Sequence, residues 1–218
     1  MNQCDESMDE SLMSVADLQR VAVKIFVREA QTSVDPRELV PIFHKWIQTQ
    51  AVDGLLIDVA DYAHLPEGPG AVLIAHEGNY AFDGAGGRPG LQYSRKQPLD
   101  GPLAARLEAI GRILLEAARL LEGDPAVSGR LAFRGDELEL VANDRLLAPN
   151  TDATFAALAP AVDAFLTKLY GPEGYSIERD PDPRERLALS IRAREAVSLE
   201  TLLERLPWVE RRTGNQEP

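Results

Sequence analysis

Cysteine is almost missing from this chain. Among 218 residues there is one, Cys4, so an internal disulfide and a cysteine-built zinc site are both excluded, and a reducing cytoplasm is the expected compartment. Long apolar runs are missing too. Stretches such as "AVLIA" and "GLLI" fall far short of the roughly 20 residues needed to cross a bilayer, so no membrane partner is expected. Positive charge is scarce: 23 Lys plus Arg stand against 35 Asp plus Glu, a net charge of −12. That balance repels phosphate backbones and argues against nucleic acid as a general partner. The opening "MNQCDESMDESLMSV" has neither the basic start nor the apolar stretch of a signal peptide, and no export is expected.

Intact catalytic signatures are also lacking. Neither G-x-x-x-x-G-K-[ST] nor G-x-S-x-G occurs, which removes most support for the common nucleotide triphosphatases and serine esterases. His76-Glu77 begins like H-E-x-x-H, but position 80 is Tyr80 and the preceding residues read as strand, whereas that zinc motif needs a helix to set two imidazoles on one face. Glycines 84, 86, 87 and 90 resemble a phosphate loop in composition. Pro89 takes the place of a final glycine, however, and a strand follows where a helix N-terminus would be needed.

What is present is the composition of a folded protein, 44% apolar and 27% charged. "VAVKIFV", residues 21 to 27, reads as a strand. Ser33 or Asp35 can cap a helix over 36–49 with Pro36 at its start, and Leu39, Ile42, Phe43, Trp46 and Ile47 share its face. His44 points off that stripe toward solvent. "GLLIDVA", 54 to 60, has almost no polar side and is expected inside a sheet. "AVLIAHE" and "LQYSRK" follow as strands divided by "GAGGRPG".

A helix over 99–122 carries Leu103, Leu107, Ile110, Leu114, Ala117 and Leu121 on one stripe and ends at Gly123. "RLAFRGDELELVAN" is expected as a hairpin turning at Gly135-Asp136. A helix over 151–170 follows, capped by Asn150 or Thr151 and kinked or broken at Pro160. "YSIERD", "RERLALSIRA" and "SLETLLERLPW" add two strands and a short helix.

Mixed order with obligatory hairpins points to an α+β fold: a mostly antiparallel sheet covered by long amphipathic helices. The expected organisation is an acidic leader at 1–18, one domain at 19–209 and a polar tail at 210–218. A recurring strand, helix, strand order raises the further option of similar halves, 19–123 and 124–209, sharing one core.

Two functions lead at this point, ahead of a third, regulation in which the acidic leader meets a basic partner. The first is binding without a dedicated cofactor, through a protein partner or self-association, with the apolar faces of 99–122 and 151–170 as contact surface. The second is a small-molecule enzyme, a metal-assisted hydrolase or lyase centred on the 71–96 hairpin. There His76 would act as base, with Glu77 or Asp58 as the orienting carboxylate. His64, His76 and Asp61 would be the nitrogen and oxygen ligands of a metal. Arg88, Arg95 and Lys96 would clamp a small anionic ligand. The plainer alternative is turn-capping aspartates, a loop histidine and solvated edge-strand charges. Strand register decides between them.

Overall fold

Alternation along β1 (Val21–Val27) turns Val21, Val23, Ile25 and Val27 to one side and Ala22, Lys24 and Phe26 to the other, and all seven are buried. Burial on both sides fits a central strand. In this computed structural model, which describes residues 14–28, 34–65 and 68–207, β1 pairs with strands on both of its edges. The remaining strands are β2 (Leu56–Tyr62), β3 (Gly70–Ala75), β4 (Gly78–Asp83), β5 (Gly90–Arg95), β6 (Phe133–Ala142), β7 (Tyr175–Arg179) and β8 (Ala188–Ala193). They form one eight-stranded sheet in the order β2-β3-β4-β5-β1-β6-β8-β7, antiparallel at every pairing. The fold is α+β. Residues 1–13 of the leader, the tail at 210–218, Cys4, Ser33 and Trp208 lie outside the described residues.

Among the described residues four α-helices accompany the sheet: α1 (Leu39–Thr49), α2 (Leu103–Glu122), α3 (Asp152–Tyr170) and α4 (Leu199–Arg205). The Asp35 carboxylate accepts from the Arg37 amide and opens a 3-10 turn into α1, while Thr151 Oγ1 accepts from the Thr154 amide at the start of α3. Pro160 does not break α3. α1 lies over β2 and β3, α2 crosses β1 and β5, α4 meets β6, and α3 packs on α2. Their apolar stripes, including Leu107, Ile110 and Leu114 of α2 and Val162, Phe165 and Leu169 of α3, close on Val23, Ile25, Leu91 and Leu140 in one hydrophobic cluster. These stripes, expected from the sequence to offer contact surface, are buried in the protein's own core. No helix among the described residues is long and apolar enough to cross a membrane.

Three local expectations change. The "GLLIDVA" segment forms β2 at the edge of the sheet, not inside it, with Leu55 at 62% and Ile57 at 56% exposure and a register shift between Leu56 and Asp58. An apolar run reports strand tendency without reporting which neighbours arrive, and a bulge is a common way to blunt an edge. Second, His76-Glu77 is the turn of a β3–β4 hairpin, because "NYAFD" is itself a strand; the glycine-rich loop comes one strand later, between β4 and β5. Third, Gly135-Asp136 is no hairpin turn. β6 runs straight through it, and a Cβ on Gly135 would lie 1.9 Å from the Val197 carbonyl oxygen, so the glycine answers a close chain approach.

Candidate ligand groove on the open face of the sheet

Among the described residues the helices lie against one face of the sheet and leave the second without a helical layer. Register sets Ala22, Lys24 and Phe26 of β1 beside Ser94, Gln92 and Gly90 of β5 on one flank and, on the other, Ala22 and Lys24 beside Val141 and Glu139 of β6. Asp83 of β4 stands across from Gly90. Charged groups on such a face normally reach water, yet Lys24 is only 5% exposed and Glu137 only 3%.

Each buried charge is partnered. Lys24 Nζ donates to Asp83 Oδ1 at 2.6 Å, and the same oxygen accepts from the Ala85 amide at 3.0 Å, which ties the lysine to the start of the glycine-rich loop. Gly90 makes this possible: a Cβ there would fall 2.8 Å from Lys24 Cε and 2.4 Å from the Ile25 carbonyl oxygen. Further along, Glu137 meets three guanidinium groups, those of Arg88 at 2.6 Å, Arg134 at 3.1 Å and Arg192 at 3.2 Å. The Arg88 guanidinium also stacks on Phe26, 3.9 Å from the ring centre. Partners of opposite sign offset part of the desolvation cost of each ion.

Between these pairs lies a groove of about 480 Å³ whose walls include Lys24, Asp83, Gln92, Glu139 and Arg186. Arg186 Nη1 donates to Asn143 Oδ1 at 2.6 Å on the same wall. Beyond Phe26 and Arg88 the surface continues into a second hollow of about 270 Å³ floored by Glu137. Both sizes are those of small-molecule sites or parts of them.

The residues singled out from the sequence are placed differently. His76 is exposed in the β3–β4 turn, where its amide donates to the Leu55 carbonyl at 2.9 Å. Glu77 Oε2 accepts from the Leu55 amide at 2.8 Å. Partial burial pushes the Glu77 carboxyl up, but the Leu55 and Glu77 amides and the nearby His76 and Arg95 charges outweigh it and hold the group below the usual carboxylate range. Asp58 Oδ1 accepts from the Val59 amide and Asp61 Oδ1 from the Ala63 amide; their register partners, Ile74 and Ala71, put the two on opposite faces of β2. His64 is exposed in the turn after β2. Among the described residues no three His, Cys, Asp or Glu side chains gather as metal ligands, so His64, His76 and Asp61 are not brought together.

Arg88, Arg95 and Lys96 are also separated, lying at opposite ends of β5. Arg95 is buried and donates to the Gln97 and Pro98 carbonyls and the Tyr93 hydroxyl, a structural clasp at the hairpin base. Lys96 is exposed, and only Arg88 borders the groove. His44 is exposed on α1, as its helical position implies.

Sequence reasoning passed over Lys24, Asp83, Glu137, Glu139 and Arg186. One signal was visible, a single lysine inside the apolar strand "VAVKIFV", since a charge at the centre of a core strand needs a partner from elsewhere. No family model, curated protein or solved structure matches the chain.

Proposed function

We propose that the protein works by binding, and that its ligand site is the open-face groove around Lys24 and Asp83. One observation carries this reading: buried, paired charges line a concavity of about 480 Å³ on the sheet face that no helix among the described residues covers. A sheet face serving only as exterior would leave its lysines and glutamates in water, where they need no matched partners. Here one charge pair is held at the floor and donor and acceptor side chains stand at the rim, the usual makeup of a site that orients a small molecule. The glycine-rich loop shapes one wall without supplying a helix N-terminus. We assign the protein to the cytoplasm on the strength of its single cysteine.

The test is to fill the groove. Gln92 lines it and is half-buried, with its amide bonded only to Ser94 Oγ at 2.9 Å, so Gln92→Trp blocks the space without entering the helix-side core. Native mass spectrometry of protein taken from its own cell, and thermal shift against a metabolite panel, are compared for both forms. A molecule held at 100 times its Kd stabilises by about 2.7 kcal/mol, on the order of 5–10 °C for a chain of this size. The reading expects bound molecules and shifts in wild type that vanish in Gln92→Trp. Equal retention by the two forms would reject it.

A further inference from the structure

We infer that the groove takes an anionic ligand, a carboxylate or phosphate group seated against the Lys24 ammonium. The inference rests on the groove being a ligand site and adds what kind of molecule it holds.

Three cations follow β1 along the groove. Arg186 stands toward the Ala22 end, where Val141 and Asn143 flank it; Lys24 is at the middle; Arg88 lies over Phe26 at the far end. Four residue steps of extended chain lead from Ala22 to Phe26, about 13 Å. Two carboxylates share these walls, Asp83 and Glu139. With Arg88 paired to Glu137 beside the groove, the remaining cations and carboxylates balance, so the groove escapes the negative excess of a chain whose net charge is −12. Local relief from negative charge lets donors in the hollow retain an anion against the repulsion of the whole molecule.

Availability distinguishes the three cations. Arg88 is engaged twice, by the Glu137 carboxylate and the Phe26 ring. Lys24 is also near that ring, 5.2 Å from its centre, but donates only one hydrogen bond, to Asp83, and an ammonium has three to give. The remaining donors sit beside the groove, because Asp83 holds the amine there and Gly90 keeps β5 clear of the stem. Arg186, exposed and bonded through Nη1 to Asn143, keeps its other donors for the outer side of the same anion. Glu139 is opposite Lys24 on β6 and disfavours negative charge, which limits the affinity and makes its removal informative.

The experiment uses inorganic phosphate and succinate as probes, with succinamide as the uncharged control, at constant ionic strength on the full chain. Amide chemical shifts by NMR give the site and the Kd. Both anions, or one of them, are expected to move the Lys24, Gln92 and Glu139 amides saturably, and whichever binds tighter identifies the group as phosphate or carboxylate; succinamide moves none. Lys24→Met/Asp83→Asn removes the ion pair without orphaning a charge and keeps an acceptor for the Ala85 amide, and it abolishes the saturable shifts. Arg186→Gln weakens binding about tenfold, and Glu139→Gln tightens it severalfold. Shifts scattered over the surface, an unchanged Kd in the double variant, or weaker binding in Glu139→Gln would overturn the inference. A neutral or cationic molecule held by wild type and lost from Gln92→Trp would retire the anion while the groove remains a ligand site. Anion binding that persists in Gln92→Trp would retire the groove itself.

Discussion

Lys24 Nζ lies 2.6 Å from Asp83 Oδ1, across a sequence separation of 59 residues, with side-chain exposures of 5% and 11%. The pair ties β1 to the loop that follows β4, although β5 lies between those strands in the sheet. It therefore joins β1 to the end of β4 across β5, along the groove wall.

Its energetics are testable by a double-mutant cycle. Lys24→Met leaves a nearly buried carboxylate without its cation and is expected to cost about 3–5 kcal/mol, read as a lower urea midpoint at unchanged slope. In Lys24→Met/Asp83→Asn no charge is orphaned, and stability should return to within about 1–2 kcal/mol of wild type. Equal destabilisation of the single and double variants would mean that the lysine stem, not its charge, matters here.

Glu137 makes the opposite kind of prediction, one anion serving several cations. It is 3% exposed and bound by Arg88, Arg134 and Arg192. Glu137→Ala should cost about 1–3 kcal/mol in chemical denaturation, because it removes the shared acceptor of three arginines that remain partly solvated. Arg192 is 60% exposed at its side chain, so Arg192→Ala should change stability by less than about 1 kcal/mol. Comparable losses from the two variants would contradict a network centred on the glutamate.

Two glycines separate close packing from turn geometry. A Cβ on Gly135 would meet the Val197 carbonyl oxygen at 1.9 Å, and backbone cannot swing aside as a side-chain tip does. Gly135→Ala is expected to destabilise by roughly 2–4 kcal/mol as β6 and the chain before α4 separate. Gly84 has φ −113° and open space where its Cβ would be. Gly84→Ala should be neutral or stabilise by up to about 1 kcal/mol through the unfolded chain. Differential scanning calorimetry of both variants checks the contrast.

Local patterns explain why the helices were readable and the groove was not. The Asp35 and Thr151 caps and the stripes of α1, α2 and α3 are decided within one or two turns, so the sequence shows them directly. β2 looked interior because an apolar run does not say whether one neighbour arrives or two. β4 was passed over since "NYAFD" is short and sits between glycines that resemble a single loop. Lys24, Asp83, Glu139 and Arg186 come from four separate segments and meet only through the register of β1 with β5 and β6 and the placing of the adjacent loops. A one-residue slip of β1 would carry Lys24 to the other face, away from Asp83 and Glu139. The histidines and carboxylates of 58–77 drew notice by sequence proximity, yet Asp58 and Asp61 alternate across β2 and part company.

Acidification should expose two carboxylates acting in opposite senses. Burial pushes the Glu122 carboxyl above its ordinary value of 4.5, the nearby Glu200 charge adds to this, and the Phe133 amide and Arg28 charge only partly offset it. The folded state then keeps that proton to higher pH than the unfolded chain does. Its contribution is full below about 4.5 and is lost as pH rises through the folded pKa. Asp136 runs the other way: the Arg134 guanidinium holds its carboxyl below the ordinary 3.8, so its contribution is present above 3.8 and lost as pH falls toward the folded pKa. Urea midpoints between about pH 3 and 7 should therefore decline less toward neutrality in Glu122→Gln and less toward acid in Asp136→Asn than in wild type. Parallel profiles for wild type and Glu122→Gln would show that the Glu122 carboxyl is as well solvated in the folded protein as in the unfolded chain.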